Sequence, residues 1–465
     1  MSTSSDAAQG PSWRQFLGDA SVASISLVCM AVWLHAADSL VVATMLPRIV
    51  ADIGGAAYVG WSVSLYQIGS IIFGAASALV TLRFGLRLPM SAAALTFGLG
   101  CAISAMAPSM EVILVGRTLQ GLGGGGLVSM SFIAVSLLFD RRHIARAMGA
   151  ISALWGVSAF LGPLLGGLFV EYATWRIGFW FFAVEAMVLA GLILWTAPRH
   201  QRAGSGGRFP VVRLALLSAG VVLVSEAGVI VAPLRTGALV LAGLACLALF
   251  FLADGRATAS RLLPRGPLDL RRPTGAALVM IMAMSMATIA GTAYGPILLV
   301  RIHGTTALEA GYIIAAGSIG WTLTAILVSG APERLDRALI ATGMIVVALG
   351  LLLMVWAMPS GSVWLVALSM AATGGGFGLS WTFILRRSTA LADGDEVHRI
   401  AGAIPVLQRL GYALGAAVMG IVANANGFLS MQAPADGAHA ARAIFLACLA
   451  PAALALIAMM GLMRR

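Results

Sequence analysis

The sequence predicts an all-α polytopic membrane protein: two six-helix bundles related by a pseudo-two-fold, with two extra helices between them. Three observations carry this. Of 465 residues, 60% are apolar and only 10% charged, whereas a soluble domain carries about 25% charged residues. At roughly 20 residues per span, the apolar material suffices for about 12 to 14 helices. That balance excludes a soluble enzyme, a disulfide-stapled secreted domain and a disordered chain. The second observation is that the basic residues cluster between apolar runs, and the third is that the sequence repeats itself. The 55 glycines show no G-X-Y period and fit close helix packing in lipid.

Fourteen runs are long enough to span. A polar stretch, 1–19, precedes them, with Arg14 ahead of the first run and no signal peptide expected. The first six runs fall at 21–46, 58–81, 89–108, 112–139, 147–170 and 177–197. Runs seven and eight, 214–232 and 236–253, are flanked by the longest breaks, 198–213 and 254–273. Within those breaks, the Gly/Ser-rich 203–207 and the Pro-containing 263–273 read as linkers. The last six runs are 274–300, 310–330, 339–357, 362–385, 400–425 and 443–462. Runs well beyond about 20 residues imply tilt or extension past the lipid. The expected domains are an N-terminal bundle, 1–197, a central linker with two spans, 198–273, and a C-terminal bundle, 274–465.

The net charge of +11 raises the possibility of nucleic acid, but its placement argues for membrane topology. All 29 basic residues are Arg. With both termini cytoplasmic, the inner segments hold 22 of them, the outer loops 5, and Arg117 and Arg409 lie within spans. Every loop is short enough for the positive-inside rule, and a missed span would invert the alternation. The four cysteines, Cys29, Cys101, Cys246 and Cys448, lie inside apolar runs and are expected as buried thiols.

Sliding the sequence by 253 residues matches 121–167 with 374–420 at 13 of 47 positions without a gap. The pairs include Gly121/Gly374, Gly123/Gly376, Gly125/Gly378, Asp140/Asp393, Arg146/Arg399, Gly149/Gly402, Gly162/Gly415 and Gly167/Gly420. Runs 4–5 therefore recur as runs 12–13. A parallel repeat about the membrane normal places a cavity between the halves, which is a transporter layout.

Run 1 ends Ala37-Asp38-Ser39-Leu40-Val41-Val42-Ala43-Thr44-Met45-Leu46-Pro47, with Ile49 and Asp52 following. Run 4 carries Arg117-Thr118-Leu119-Gln120-Gly121-Leu122-Gly123. Run 5 carries Gly149, Ser158 and Gly162-Pro163-Leu164-Leu165-Gly166-Gly167, and Trp175-Arg176 with Phe179 open run 6. These segments resemble the major facilitator superfamily, and within it the fourteen-span drug:proton antiporters, over nearly the whole chain. The resemblance implies an antiporter motif at Gly149, Ser158, Gly162, Pro163, Gly166 and Gly167, with Ser158 standing where Gly is usual. It also implies a cytoplasmic gating loop after run 2, at Arg83, Gly85 and Arg87. There Leu82 replaces the acid that normally anchors the loop, and Gln408-Arg409 reverses the family's common order.

Charge inside lipid costs about 2.5–3.5 kcal/mol or more, so embedded ionisable residues are functional candidates. They are His35, Asp38, Arg117, Glu185, Glu226 and Arg409. At about 1.5 Å per residue, Asp38, Arg117, Glu185 and Glu226 fall in the outer half of the bilayer. Asp38 is the expected proton carrier, because desolvation favours the neutral carboxyl, and a neutral carboxyl no longer attracts a cation. The alternative is a static Asp38–Arg117 lock. His35, three residues earlier, either shares the proton or bonds a backbone carbonyl. Glu185 and Glu226 either bind cargo and relay protons or serve packing. Arg117 and Gln120 are expected to tune Asp38 and fix helix contact. The run Gly121–Gly126 lacks the Lys-Ser/Thr of a phosphate loop and reads as a close-packing face. Tyr66, Trp155, Phe160, Tyr294, Trp321, Trp381 and the Met-rich 280–286 are candidate cavity walls, each with packing as the alternative.

The function these features imply is proton-coupled export of hydrophobic or amphipathic, cationic compounds across the plasma membrane by alternating access of a monomer in contact with membrane lipid. Dedicated export of an endogenous lipid or metabolite is the alternative. An intramembrane enzyme or sensor is disfavoured, since no H-E-x-x-H, G-x-S-x-G or Walker motif occurs and no loop holds an output domain. No cofactor, metal or nucleic acid is expected.

Overall fold

The computed structural model describes residues 22–140, 143–198, 209–257, 261–360, 362–391, 396–431 and 433–463. Among these, fifteen α-helices form and no strand does. The first six are α1 (Val22–Ile53), α2 (Val59–Phe84), α3 (Arg87–Ala105), α4 (Met110–Leu138), α5 (Ile144–Tyr172) and α6 (Trp175–Thr196). Then come α7 (Val211–Glu226) and α8 (Pro233–Arg256). The remainder are α9 (Pro273–Ala293), α10 (Gly295–His303), α11 (Ala307–Val328), α12 (Asp336–Ala357), α13 (Val363–Ala390), α14 (Glu396–Ala425) and α15 (Pro434–Met463). Arg14, the 203–207 linker, Asp393 of the repeat and both chain ends lie outside the described residues.

Thirteen of the helices are long and apolar enough to cross a membrane. The remaining expected span, 214–232, is a helix of 16 residues ending at Glu226. It stops there because Pro233, without an N–H, opens α8 and Thr236 draws the connecting chain into a turn, accepting from Ala232 N and donating to Ala227 O, both at 3.1 Å. The ninth run divides into α9 and α10 at Tyr294, where Gly295-Pro296 interrupts the ladder. In the other direction, α1 extends beyond its apolar run through Pro47 to Ile53, which puts Asp38 at the middle of a 32-residue helix rather than toward its outer end.

The repeat is visible in the packing. In the first half α4 lies against α2 and α3, α5 against α1, and α6 against α3. In the second half α13 lies against α11 and α12, α14 against α9, and α15 against α12. The glycines make these approaches possible. A Cβ on Gly121 would strike the backbone of Tyr66 in α2, and its counterpart Gly374 meets the backbone of Gly317 in α11. Gly123 faces Phe97 in α3, and Gly376 faces Gly343 in α12. Gly162 abuts Leu40 of α1, just as Gly415 abuts Met286 of α9. Ser70 donates to Gly121 O at 3.2 Å, and Thr324 donates to Gly375 O at 2.8 Å.

The halves meet along two seams related by the same pseudo-symmetry: α2 on α14, and α5 on α11. Between described residues, two side-chain hydrogen bonds cross the seams, Ser64 to Ala413 O at 2.8 Å and Asn424 to Ala57 O at 3.3 Å. Both lie toward the Ile53 end of α1. Gly167 packs on Leu308 and Gly311 on Thr44 and Pro163 at that same end. The α7–α8 hairpin rests against the α2/α14 seam, where Asn424 also donates to Gly228 O at 2.7 Å. Its other end is tied by buried Asp254, which pairs with Arg213 and accepts from Leu262 N and Leu263 N at 3.0 and 2.9 Å. Cys101 and Cys448 are buried free thiols, while Cys29 and Cys246, expected buried, are partly exposed on helix faces that no neighbour covers fully.

Candidate functional site

Asp38 and Arg117 form a fully enclosed ion pair. Asp38 is 0% exposed and Arg117 4%, and Nη1 of Arg117 donates to Oδ2 of Asp38 at 2.6 Å. The same Nη1 lies 2.7 Å from Oε1 of Gln120, one turn along α4. Gln120 is oriented in turn by donating from Nε2 to Sγ of Cys101 at 3.3 Å. Asp38 Oδ1 and Arg117 Nε are buried without a hydrogen-bond partner, so the pair is joined on one side only.

Around it stands an aromatic shell. The Arg117 guanidinium lies 4.1 Å over the centre of the Tyr66 ring on α2. The Tyr66 hydroxyl lies 2.8 Å from His35 Nδ1 and donates to His35 O at 3.1 Å. The His35 ring stacks on Tyr66 and meets Trp155 edge-on. His35, expected as either proton sharer or carbonyl-bonded, has its ring Nδ1 on a tyrosine hydroxyl. Gly124 makes room for that ring, since a Cβ there would lie 2.7 Å from Nδ1. Read from sequence, the glycine run is only a packing face and this use is missed; the one signal for it is four consecutive glycines where alternate ones suffice for helix contact.

The other embedded acids stand apart. Glu185, on α6, accepts from Trp33 Nε1 at 3.2 Å and is partly buried. Glu226 sits at the last residue of α7 and pairs with Arg235, at the start of α8. Its place is therefore a helix-end connection rather than the middle of a span. Glu309 closes a capping box with Thr306 at the start of α11. Arg409 lies mid-way along α14 and faces the first half, within electrostatic reach of His35 and Tyr66.

In the antiporter-type segment, α5 runs unbroken through Pro163. Gly162 and Gly166 press on α1, Gly167 and Pro163 on α11, and Ser158 is buried. Gly149 is partly buried near the start of α5. The loop after α2 turns at Gly85, whose φ of +74° with ψ near 180° is a conformation reserved to glycine. Leu82 is exposed, and Arg83 lies over the Phe84 ring. Arg87 opens α3. In the second half an acid does anchor the corresponding region: Asp336, at the start of α12, pairs with Arg386 of α13. At the opposite end, Trp175 donates to Asp52 at 2.9 Å and Arg176 to Ala107 O at 3.0 Å, tying α6 to α1 and to the α3–α4 connection.

The aromatic candidates divide by exposure. Trp155 is 46% and Phe160 53% exposed on α5. Trp321 stacks on Phe377 and touches Trp381, all within the second half. Tyr294 is buried and donates to Ala416 O at 3.2 Å beside Gly60, so it serves the seam.

Comparison with known proteins agrees with this architecture. The chain is 29% identical to a protein of Mycobacterium tuberculosis named "Probable multidrug-efflux transporter", over 97% of this chain and 96% of that one. It is 25% identical to the multidrug transporter protein MdtP of Bacillus subtilis, over 86% of this chain and 75% of the relative. Among solved structures it resembles the nucleoside transporter NupG, with a TM-score of 0.66 at 12% identity over 95% of this chain and 100% of that one. A peptide transporter crystallised with alafosfalin gives 0.67 at 14% identity, over 93% of each chain. The family model described as Major Facilitator Superfamily matches residues 28–265, more than half of the sequence. The chain thus belongs to the Major Facilitator Superfamily and is a multi-pass membrane transporter, not an enzyme.

Proposed function

We propose that the protein is a monomeric, proton-coupled exporter of hydrophobic or amphipathic small molecules, working in the plasma membrane by alternating access. The observation that carries the reading is the enclosed Asp38–Arg117 pair at the centre of α1, bonded through one carboxylate oxygen and bordered by His35 and Tyr66. A carboxylate so placed changes its partners when it gains a proton: the salt bridge goes, and Arg117 keeps only Gln120 and the Tyr66 face. Tyr66 belongs to α2, the helix that also carries Ser64 and Gly60 into the α14 seam. Proton occupancy is thereby coupled to the contact between the halves. The name of the Mycobacterium tuberculosis relative supports the direction of transport.

In this reading, 1–197 and 274–465 are the rocking bundles, and 198–273, with α7 and α8, is the linker that carries the two extra helices between them. The Arg-rich Val22 end faces the cytoplasm, so the conformation is closed to the outside at the Ile53 end. Glu185, held by Trp33, is a second proton-handling group, and Glu226 braces the α7–α8 turn. With Asp38 neutralised by Arg117, the attraction for cations expected from the sequence is lost, and the cargo is defined first by its apolar surface, met by Trp155 and Phe160. The test is reconstitution into vesicles with an imposed pH gradient and a panel of lipophilic dyes of both charges. Gradient-dependent dye movement supports the reading; the absence of movement for every dye, with protein correctly inserted, overturns it.

A further inference from the structure

We propose that Arg409 anchors an oxyanion on the transported compound, so that the preferred cargo is an amphiphile bearing a carboxylate or sulfonate group. The inference rests on the transport reading above and sharpens it at one position. Arg409 sits near the middle of α14, about 20 Å from Glu396 and about 24 Å from Ala425 along the helix. Its Nη1 is buried and has no hydrogen-bond partner. A guanidinium is always charged and offers five N–H donors, so leaving its buried Nη1 without an acceptor is unfavourable unless an anion completes it.

The described residues provide no such anion. In the second half the acids stand at helix ends with other tasks: Glu309 caps α11, Asp336 holds Arg386, and Asp436 receives Ala433 N. Across the seam, Asp38 is held by Arg117 and Glu185 by Trp33. The groups of the first half that Arg409 reaches are His35 and Tyr66, already bonded to each other. Neighbouring Gln408 donates to Tyr412. With Asp38 thus taken up by Arg117 and Glu185 by Trp33, no described carboxylate is bonded to Arg409.

The repeat partner of Arg409 on α5 is Gly156, which carries no side chain and where an added Cβ would come into ordinary contact with Thr322 of α11, at 3.4 Å. Beside it stand Trp155 and Phe160, half-exposed on α5. An anionic head on Arg409 and an apolar body on these rings is the complement this arrangement selects. An exported anion is also driven outward by the inside-negative potential.

The test uses the full-length protein in lipid nanodiscs and three fluorescent probes of matched size: dansyl-undecanoic acid, its methyl ester, and a dansyl alkylamine. Wild type is expected to bind the acid at least about tenfold tighter than the ester, the scale of a hydrogen bond to a charged group, and to bind the amine no better than the ester. Arg409→Gln should remove the difference between acid and ester, and Arg409→Lys should keep part of it. Equal binding of acid and ester, preference for the amine, binding of none of the three, or full discrimination by a folded Arg409→Gln overturns the inference. If that variant does not fold by circular dichroism and gel filtration, the wild-type comparison and Arg409→Lys decide. Gradient-driven dye efflux is scored separately, and its absence sinks the transport reading without bearing on the acid–ester ratio.

Discussion

The Arg117 guanidinium lies 4.1 Å over the Tyr66 ring while the same side chain holds Asp38. One cation thus touches three helices, α1 through Asp38, α4 through its own backbone, and α2 through the ring. Because α2 is a seam helix, the Tyr66 ring links this pair to the element on which the halves meet.

Asp38→Asn is expected to abolish gradient-driven efflux while leaving membrane insertion intact. Asparagine keeps the shape and an acceptor for Arg117 but takes up no proton. Efflux from reconstituted vesicles, with and without the gradient, reads the effect; normal gradient-driven efflux from the variant would remove Asp38 from the mechanism.

Removing one member of a buried pair leaves the other charge enclosed, at a cost of about 3–5 kcal/mol. Asp38→Ala and Arg117→Ala should each lower thermal stability strongly, and the double variant should lose much less than the sum. A thermodynamic cycle from unfolding curves measures the coupling. Additive losses would mean that the two side chains act independently.

The glycines give a paired prediction. Gly121→Ala drives a methyl into the Tyr66 backbone and Gly374→Ala one into that of Gly317, so both should destabilise by about 1–3 kcal/mol or shift the helices. At Gly402 an added methyl would meet nothing within 4 Å, so alanine should be accepted there with little change. Unfolding temperatures of the three variants check the contrast.

Much of this was legible in the sequence because lipid imposes a simple rule: apolar length makes a span, and an ionisable residue inside one needs a reason. Arg117 and Gln120 come together as their spacing suggests, since i and i+3 on α4 share a face, and Asp38 meets Arg117 from α1. The repeat predicted that α13 would pack as α4 does. Other features depend on three-dimensional placement. Glu226 reads as embedded, but the chain leaves the helix directly after it, and Arg235 of the next helix meets it. The contact of Tyr66 with His35 joins residues 31 apart on different helices, and no local pattern marks it. The asymmetry between Leu82 and Asp336 is visible in sequence only as a missing acid; that the second half holds its own acid–Arg pair required the fold.

Asp254 should govern the α7–α8 hairpin. It is 1% exposed and satisfies Arg213 together with two backbone N–H groups. Asp254→Ala strands the two backbone N–H groups and takes the carboxylate away from Arg213, with a loss of about 3–5 kcal/mol for the ion pair alone. The loss should appear as faster proteolysis in the segment after α8, with the bundles still resistant. Unchanged cleavage would show that the hairpin is held by its helix packing.

A cross-link at the Ile53 end tests whether the seam must open. Ser64 and Ala413 face each other across α2 and α14, joined by the 2.8 Å hydrogen bond from the serine hydroxyl. In a background where the native cysteines are replaced, with serine at Cys101 to keep an acceptor for Gln120, the pair Ser64→Cys and Ala413→Cys is expected to couple through a short bis-thiol reagent. If transport requires these ends to separate, the linked protein stops moving dye and a cleavable linker restores movement on reduction. The single-cysteine variants, treated alike, should keep their activity. Continued efflux from fully linked protein would mean that cargo leaves by a route that does not part α2 from α14, such as sideways past the α7–α8 hairpin, and the rocking of the bundles would have to be abandoned.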